Sequence, residues 1–301
     1  MKKYTIRLLY DVEGWAYYWR CLALQKYAPQ DFDVTIGSNY GALLQAKKHD
    51  LILQCAYSYA KDVKKFISVK LNYKPLLVSS FNVGWGYANT WLDLAIRDSD
   101  YVIINNYEMW NKYGKHPKTI NISNGVDLDT FKIEIPVDRR EHKVLWVGSI
   151  IHRKVKNYDS ILCPLSNLLH RDKIKFEFRL TNSVGKNRLT HEQMCKWYNT
   201  GTIYAISSRN EGTPNPGLES SACGCIPVST KVGNMPELIH DGQNGYLCET
   251  SVDSLYSGIK KAIKNYEELQ TNMSSVIQTW GWKERSKQYY EYFRNAIENR
   301  K

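Results

Sequence analysis

Apolar residues along this chain fall into short β-rich runs separated by stretches with helical spacing. That alternation predicts parallel sheets with helices on both faces. The first run, Tyr4–Tyr10, stops at Asp11-Val12-Glu13-Gly14, and a helical stretch then carries Trp19, Leu22 and Leu24 to Tyr27 before Pro29 ends it. Strand-like runs follow at Asp33–Ile36, Leu51–Gln54, Leu76–Ser80, Tyr101–Ile104 and Thr119–Ile122. Pro, Asp and charged residues between Lys132 and Glu141 read as an interdomain linker. A second series begins at Lys143–Val147 and continues through Phe176–Leu180, Ile203–Ile206, Ile226–Ser229 and Tyr246–Cys248. The remainder is helical in pattern, broken at Trp280-Gly281-Trp282 before a Tyr-rich helix from about Lys283. The expected organisation is two α/β domains, 1–135 and 140–282, with the helix of 283–301 returning to the first. Tandem open sheets of this kind hold a ligand beyond the carboxyl ends of their strands, in a cleft between the domains.

Composition narrows the class. Apolar residues make up 43% and charged residues 24% of the 301 positions, the balance of a soluble globular protein. No apolar run approaches the roughly 18 residues that span a bilayer, and Met1–Arg7 leads into a strand rather than a secretory signal. A cytoplasmic location is expected. The seven cysteines are odd in number and scattered, which predicts buried thiols rather than a disulfide framework. The net charge of +11 is uneven: residues 136–190 carry 12 Lys/Arg against 5 Asp/Glu, whereas 191–301 carry 12 against 12. A basic stretch of that kind suits DNA, an anionic membrane or an acidic acceptor, and equally a solvated face.

One segment concentrates candidate chemistry. Ile203–Asn210 reads as a strand entering a loop, and Glu211–Gly217 leads to a helix expected to start near Leu218. Pro214 and Pro216 fix the loop backbone, while Gly212 and Gly217 permit close approach. A helix start aims N–H groups and the positive end of its dipole at an anion. Glu211 precedes that start and Glu219 is placed in the first turn. A nucleotide sugar presents hydroxyls at both ends and phosphates between, and carboxylates flanking N–H donors match that layout. Two glutamates around a Pro-rich loop also fit a helix with an acid-lined start, so the pattern alone leaves both readings open.

The longer run from Glu211 through Glu219, Ile226-Pro227-Val228, Gly233-Asn234-Met235-Pro236-Glu237-Leu238-Ile239 and Asp241-Gly242-Gln243-Asn244-Gly245 resembles the donor-binding segment of glycosyltransferase family 4. Asn124-Gly125-Val126-Asp127 with Phe131, and Val147-Gly148 followed by Lys156-Asn157, resemble two further stretches of that family. The resemblance implies a GT-B fold: two Rossmann-like domains facing across a cleft. It also implies retaining transfer of a hexose-type sugar from a nucleoside diphosphate donor, UDP-linked by expectation, without a metal or other cofactor. Glu219 would bind the ribose hydroxyls and Glu211 the transferred sugar. Main-chain groups of Gly212, Thr213, Pro214, Asn215, Pro216, Gly217 and Leu218 would line the donor. Where the family has Arg after the glycine of the phosphate turn, this chain has Ser149, and the turn is longer. The cation roles therefore pass to two of Arg153, Lys154 and Lys156, with Arg153 and Lys156 preferred. Lys156-Asn157 stands where the family has Lys-Gly.

The first domain departs further. Its loop after the first strand keeps one glycine, Gly14, beside Trp15, and Asn82 opens a glycine-rich segment where many relatives have a His. Gly14, Trp15 and Asn82 are the expected cleft residues on this side. Trp15, Tyr17, Tyr18 and Trp19 with Trp85 and Tyr87 form an aromatic group able to stack on sugars or on unpaired bases. The expected acceptor is a glycan or lipid-linked glycan. Alternatives are a modified base in DNA, reached through the basic 136–190 stretch, a sugar-nucleotide epimerase, and a non-catalytic sugar-nucleotide- or DNA-binding protein. Three Asp-x-Asp triplets, Asp31/Asp33, Asp98/Asp100 and Asp127/Asp129, lie in unrelated contexts and predict no metal site. Among the histidines only His152 stands beside the phosphate turn.

Overall fold

Each β-rich run forms a strand in the computed structural model, which describes residues 3–38, 48–81, 88–112, 115–181 and 189–300. The first unit, Met1–Gly125 with Trp282–Lys301, contains in order β1 Tyr4–Tyr10, α1 Ala16–Lys26, β2 Phe32–Ser38, β3 Leu51–Gln54, α2 Ala60–Lys70, β4 Leu76–Phe81, α3 Ala88–Asp98, β5 Tyr101–Ile104, α4 Tyr107–Lys112 and β6 Thr119–Asn121. These strands pair in parallel in the order β2-β1-β3-β4-β5-β6. Their central members are buried on both faces, which is why they read as continuous apolar runs: Ile6, Leu8, Leu51, Leu53 and Val78 are inaccessible to solvent.

The second unit, Val126–Gly281, contains β7 Lys143–Ser149, α5 Cys163–Arg171, β8 Lys175–Thr181, α6 His191–Tyr198, β9 Ile203–Ile206, α7 Asn215–Ala222, β10 Ile226–Thr230, α8 Met235–Leu238, β11 Tyr246–Cys248, α9 Val252–Lys264 and α10 Tyr266–Gln278. Its parallel sheet runs β11-β10-β9-β7-β8. The last helix, α11 Trp282–Glu298, packs in the first unit. Tyr289, Tyr290 and Phe293 are buried there with Ile6, Leu24 and Phe32. Tyr290 Oη donates to the Leu24 carbonyl at 2.5 Å, and Arg294 meets Asp31 at 2.7 Å.

The segment expected as a linker is tied into the second unit instead. The N–H groups of Glu134 and Ile135 donate to Asn199 Oδ1 at 2.7 and 3.1 Å. Arg140 donates to the carbonyls of Gly201 and Cys223 at 3.3 and 2.7 Å. The units therefore divide at Gly125/Val126 rather than at 135–140. All seven cysteines are free thiols. No described helix is long and apolar enough to cross a membrane.

Candidate functional site

Three loops meet at the carboxyl edge of the second sheet, following β7, β9 and β10. Parallel pairing of β7 with β9 brings their ends side by side, and hydrogen bonds then join the loops beyond them. The Arg209 N–H donates to the Val155 carbonyl at 2.9 Å. Ser207 Oγ donates to the Lys156 carbonyl at 2.6 Å, and Asn157 Nδ2 donates to the Ser207 carbonyl at 2.7 Å. Asn157 is buried and takes the left-handed conformation, φ 52° and ψ 38°. Asn tolerates this conformation better than most residues, which explains how it stands where a glycine is usual. From β10, Thr230 Oγ1 donates to the Ser208 carbonyl at 2.7 Å.

This framework holds Lys156 against Glu211. Lys156 Nζ donates to Glu211 Oε1 at 2.5 Å, and Ser208 Oγ donates to the same oxygen at 2.7 Å. Both charged side chains are largely enclosed, at 17% and 14% exposure, so the pair is less screened than a surface bridge. His152 is half-buried beside it. Burial lowers its pKa first, the Lys156 charge lowers it further, and Glu211 opposes them.

Glu219 sits on α7 behind this pair. The helix begins at Asn215, earlier than expected, so Glu219 lies in its second turn rather than its first. Tyr198 Oη, from α6, donates to Glu219 Oε2 at 3.0 Å. Burial raises the Glu219 carboxyl to about 7, and the tyrosine hydrogen bond opposes the rise without cancelling it. A carboxyl with that midpoint changes charge near neutrality, and only its ionised form presents both oxygens purely as acceptors.

The sequence-expected donor residues divide into two groups. Arg153 does not join the pair: it bridges Asp159 and lies over the Tyr158 ring at 4.9 Å. Lys154 is exposed on the same turn, and Ser149 ends β7 half-buried. Gly148 is required by packing, since a Cβ there would stand 2.5 Å from the Trp146 ring. Gly217 is likewise a contact glycine, with Ile206 Cδ1 at 2.8 Å from such a Cβ, and Leu218 is buried in the core. The expected N–H cradle at 214–217 is also corrected. Pro214 and Pro216 have no N–H, Asn215 donates to the Thr213 carbonyl at 2.9 Å, and Gly217 donates to the Pro214 carbonyl at 2.8 Å. The backbone of Gly212 and Thr213 is buttressed from the β10 loop. Gly233 adopts φ +55°, and a Cβ on it would meet the Gly212 carbonyl oxygen at 2.5 Å. The Asp241–Gly245 turn is structural too: Asn244 is buried, accepting from His240 N at 2.7 Å and donating to the Leu238 carbonyl at 3.0 Å.

In the first unit Gly14 holds φ +75° with open space around its Cα, and Trp15, 39% exposed, precedes α1. Trp19 Nε1 donates to the Gly14 carbonyl at 3.0 Å, which fixes this loop. Asn82, Trp85 and Tyr87 lie outside the described residues. Sequence reasoning passed over Arg20, which is 2% exposed on α1, donates to Ser80 Oγ and stands over the Tyr17 ring. Nothing in its local pattern distinguishes it from a solvated helix cation. Ser207 and Ser208 were legible only as a polar pair after a strand, and Tyr198 not at all.

The basic stretch is partly consumed by local pairs. Lys143 meets Glu177 at 2.9 Å, Lys175 meets Glu141 at 2.7 Å, and Arg140 is spent on carbonyls. Among the described residues, no group of three or more His, Cys, Asp or Glu is arranged to hold a metal ion.

Residues 183–280 match the family model described as glycosyl transferases group 1. An uncharacterised glycosyltransferase of Methanocaldococcus jannaschii is 26% identical over 194 residues, covering 59% of this chain and 53% of that protein. A component of the phosphatidylinositol N-acetylglucosaminyltransferase of Arabidopsis thaliana is 33% identical over 93 residues, covering 29% and 20%. The chain thus spans about half or less of the length of these curated relatives. Among solved structures, the catalytic domain of starch synthase IV from Arabidopsis thaliana, bound to ADP and acarbose, superposes with a TM-score of 0.76 at 11% identity, covering 99% and 100% of the two chains. Anabaena HepE in complex with UDP-glucose gives 0.70 at 15% identity, covering 97% and 99%. Two parallel α/β units, their likeness to these structures and the match over 183–280 together identify a GT-B fold whose second unit matches the model of glycosyl transferases group 1.

Proposed function

We propose that this chain is a retaining, family 4-type glycosyltransferase that moves a sugar from a nucleoside diphosphate donor, UDP-linked by preference, to a hydroxyl of a glycan or lipid-linked glycan. The observation that carries this reading is the enclosed Lys156–Glu211 pair at the carboxyl edge of the sheet, with Glu219 on the helix that follows. Lys156 offers its remaining N–H donors to the diphosphate and stabilises the charge that builds there as the glycosidic bond breaks. Glu211, oriented by Ser208 and Lys156, accepts hydroxyl hydrogens of the transferred sugar. Glu219 in its ionised form accepts from the ribose hydroxyls through the oxygen that Tyr198 does not use.

In a front-face reaction the acceptor hydroxyl attacks from the side the diphosphate leaves, and the leaving phosphate oxygen takes the proton. No protein nucleophile is required, and phosphate charge falls to Lys156, with Lys154 exposed on the same turn, rather than to a metal. Trp15 and Gly14 are the acceptor-side candidates of the first unit. The likeness to a structure holding UDP-glucose supports the donor class.

Thermal unfolding with a panel of nucleoside diphosphate sugars tests the reading. A true donor at 100 times its Kd adds roughly 2.7 kcal/mol of stability. Transfer to glycan acceptors is then assayed by product analysis, with a donor-only control for epimerisation. Glu211→Ala is expected to abolish transfer and keep most donor affinity. Absence of stabilisation by every sugar nucleotide overturns the proposal.

A further inference from the structure

We propose that the edge strand β8 and the basic cavity at its start form a docking surface for an anionic lipid bilayer. Among the described residues β8 pairs on one side only, with β7. From Lys173 to Leu180 charged and apolar residues alternate, three cations and one acid against four apolar side chains: Lys173, Ile174, Lys175, Phe176, Glu177, Phe178, Arg179, Leu180. Period two places Ile174, Phe176, Phe178 and Leu180 on one face of the strand. That face becomes more exposed along its length, from half-buried Ile174 and Phe176 to Phe178 at 40% and Leu180 at 38%. Phe176 and Phe178 are in ring contact at 5.7 Å, and Phe178 meets the buried Tyr158 ring at 5.5 Å, so the strip is anchored to the core.

Beside the strip lies an open cavity of about 830 Å³ whose lining includes Lys143, His170, Arg171, Lys173, Lys175 and Phe176. The acids nearby are already engaged: Glu177 by Lys143 and Trp197, Glu141 by Lys175, and Asp172 by Lys260 and Tyr256. Those pairs also occupy Lys143 and Lys175, whereas Arg171 and Lys173 stand outside them, so the surface combines an apolar strip with a net positive charge, the pattern of a group lying in a bilayer interface. Apolar side chains enter the acyl boundary while Lys and Arg stems reach to anionic headgroups. The aliphatic members argue against nucleic acid, since Ile174 and Leu180 offer no stacking face to a base.

Co-sedimentation of the purified chain tests this surface without reference to catalysis. Vesicles of phosphatidylcholine alone are compared with vesicles containing phosphatidylglycerol, at low and high salt. Binding is expected with phosphatidylglycerol only, and weaker in salt. Lys173→Glu with Lys175→Glu should weaken it by about 25-fold or more, taking about fivefold for each cation near the surface. Phe178→Ser with Leu180→Ser should weaken it by about tenfold or more, given the apolar area withdrawn. Circular dichroism checks that both variants fold, and the lysine pair leaves the core untouched. Equal binding to both vesicle types, or binding unchanged in both double variants, overturns the proposal. So does a DNA duplex that binds the chain and displaces the vesicles.

Discussion

Replacing Glu219 with Gln isolates the consequence of burying a carboxyl beneath the donor loop. The side chain ionises at about 7 in the folded protein against an ordinary 4.5, because burial penalises the charge more than the Tyr198 hydroxyl relieves it. The unfolded chain releases this proton near the ordinary carboxyl value, whereas the folded protein keeps it until about 7. Stability from this group is therefore full at low pH and falls as pH rises through that window. The interval from 4.5 to about 7 corresponds to at most roughly 3 kcal/mol, an upper bound because Glu219 keeps part of its surface exposed. Gln has nearly the shape of the protonated acid and still accepts from Tyr198, but it carries no charge to bury. Urea unfolding should give similar stabilities near pH 5, and a variant more stable by up to roughly 3 kcal/mol near pH 8. The same variant should lose stabilisation by sugar nucleotides, since an amide accepts through one oxygen only. A stability difference that does not change with pH would refute the placement of a buried ionising carboxyl here.

Three further outcomes follow from the same site. Lys156→Met is expected to weaken donor binding by about tenfold to a hundredfold, the worth of lost charge-assisted hydrogen bonds, as read by titration calorimetry with the donor. Arg153→Ala should change donor affinity by less than about threefold, because its guanidinium is spent on exposed Asp159 and on Tyr158, a solvent-screened pairing; a large loss would return Arg153 to the donor site. Gly233→Ala should cost about 2 kcal/mol or more in urea unfolding, and should weaken donor binding as well, since its Cβ displaces the Gly212 carbonyl from a left-handed position; unchanged stability would refute the close approach.

The strands and their approximate limits were legible because a buried parallel sheet writes itself as short continuous apolar runs, such as Leu51–Gln54 and Ile203–Ile206. The division between the units was not. Lys132–Glu141 has the polar, Pro-containing composition of a linker, but its backbone finds partners in Asn199, and Arg140 finds its own in distant carbonyls. Such satisfaction depends on residues some 60 positions away, which no local pattern records. The start of α7 was misplaced for a related reason. Pro216 looked like loop stiffening, yet proline is well tolerated in the first turn of a helix, where its missing N–H costs nothing.

The donor segment shows how one run of residues can carry two kinds of constraint. Gly148, Gly217 and Leu218 were expected to touch a ligand, yet a Cβ at either glycine would strike Trp146 or Ile206, and Leu218 is core. Asn244 closes a turn with both ends of its amide. These positions shape the loops that meet at the sheet edge. The charged groups free for chemistry are far fewer: Lys156 and Glu211, brought within 2.5 Å by the β7 and β9 loops, and Glu219, held by Tyr198. A cation preference drawn from sequence spacing pointed to Arg153 and Lys156 together. The local hydrogen bonds separate them, because the turn ending in left-handed Asn157 faces Lys156 toward Glu211 while Arg153 folds back on Tyr158 and Asp159. One lysine against one glutamate leaves a near-neutral pair, so an incoming diphosphate must compete with Glu211 for Lys156. That competition is relieved when Glu211 turns to sugar hydroxyls, and it makes binding of a complete sugar nucleotide more favourable than binding of the nucleoside diphosphate alone.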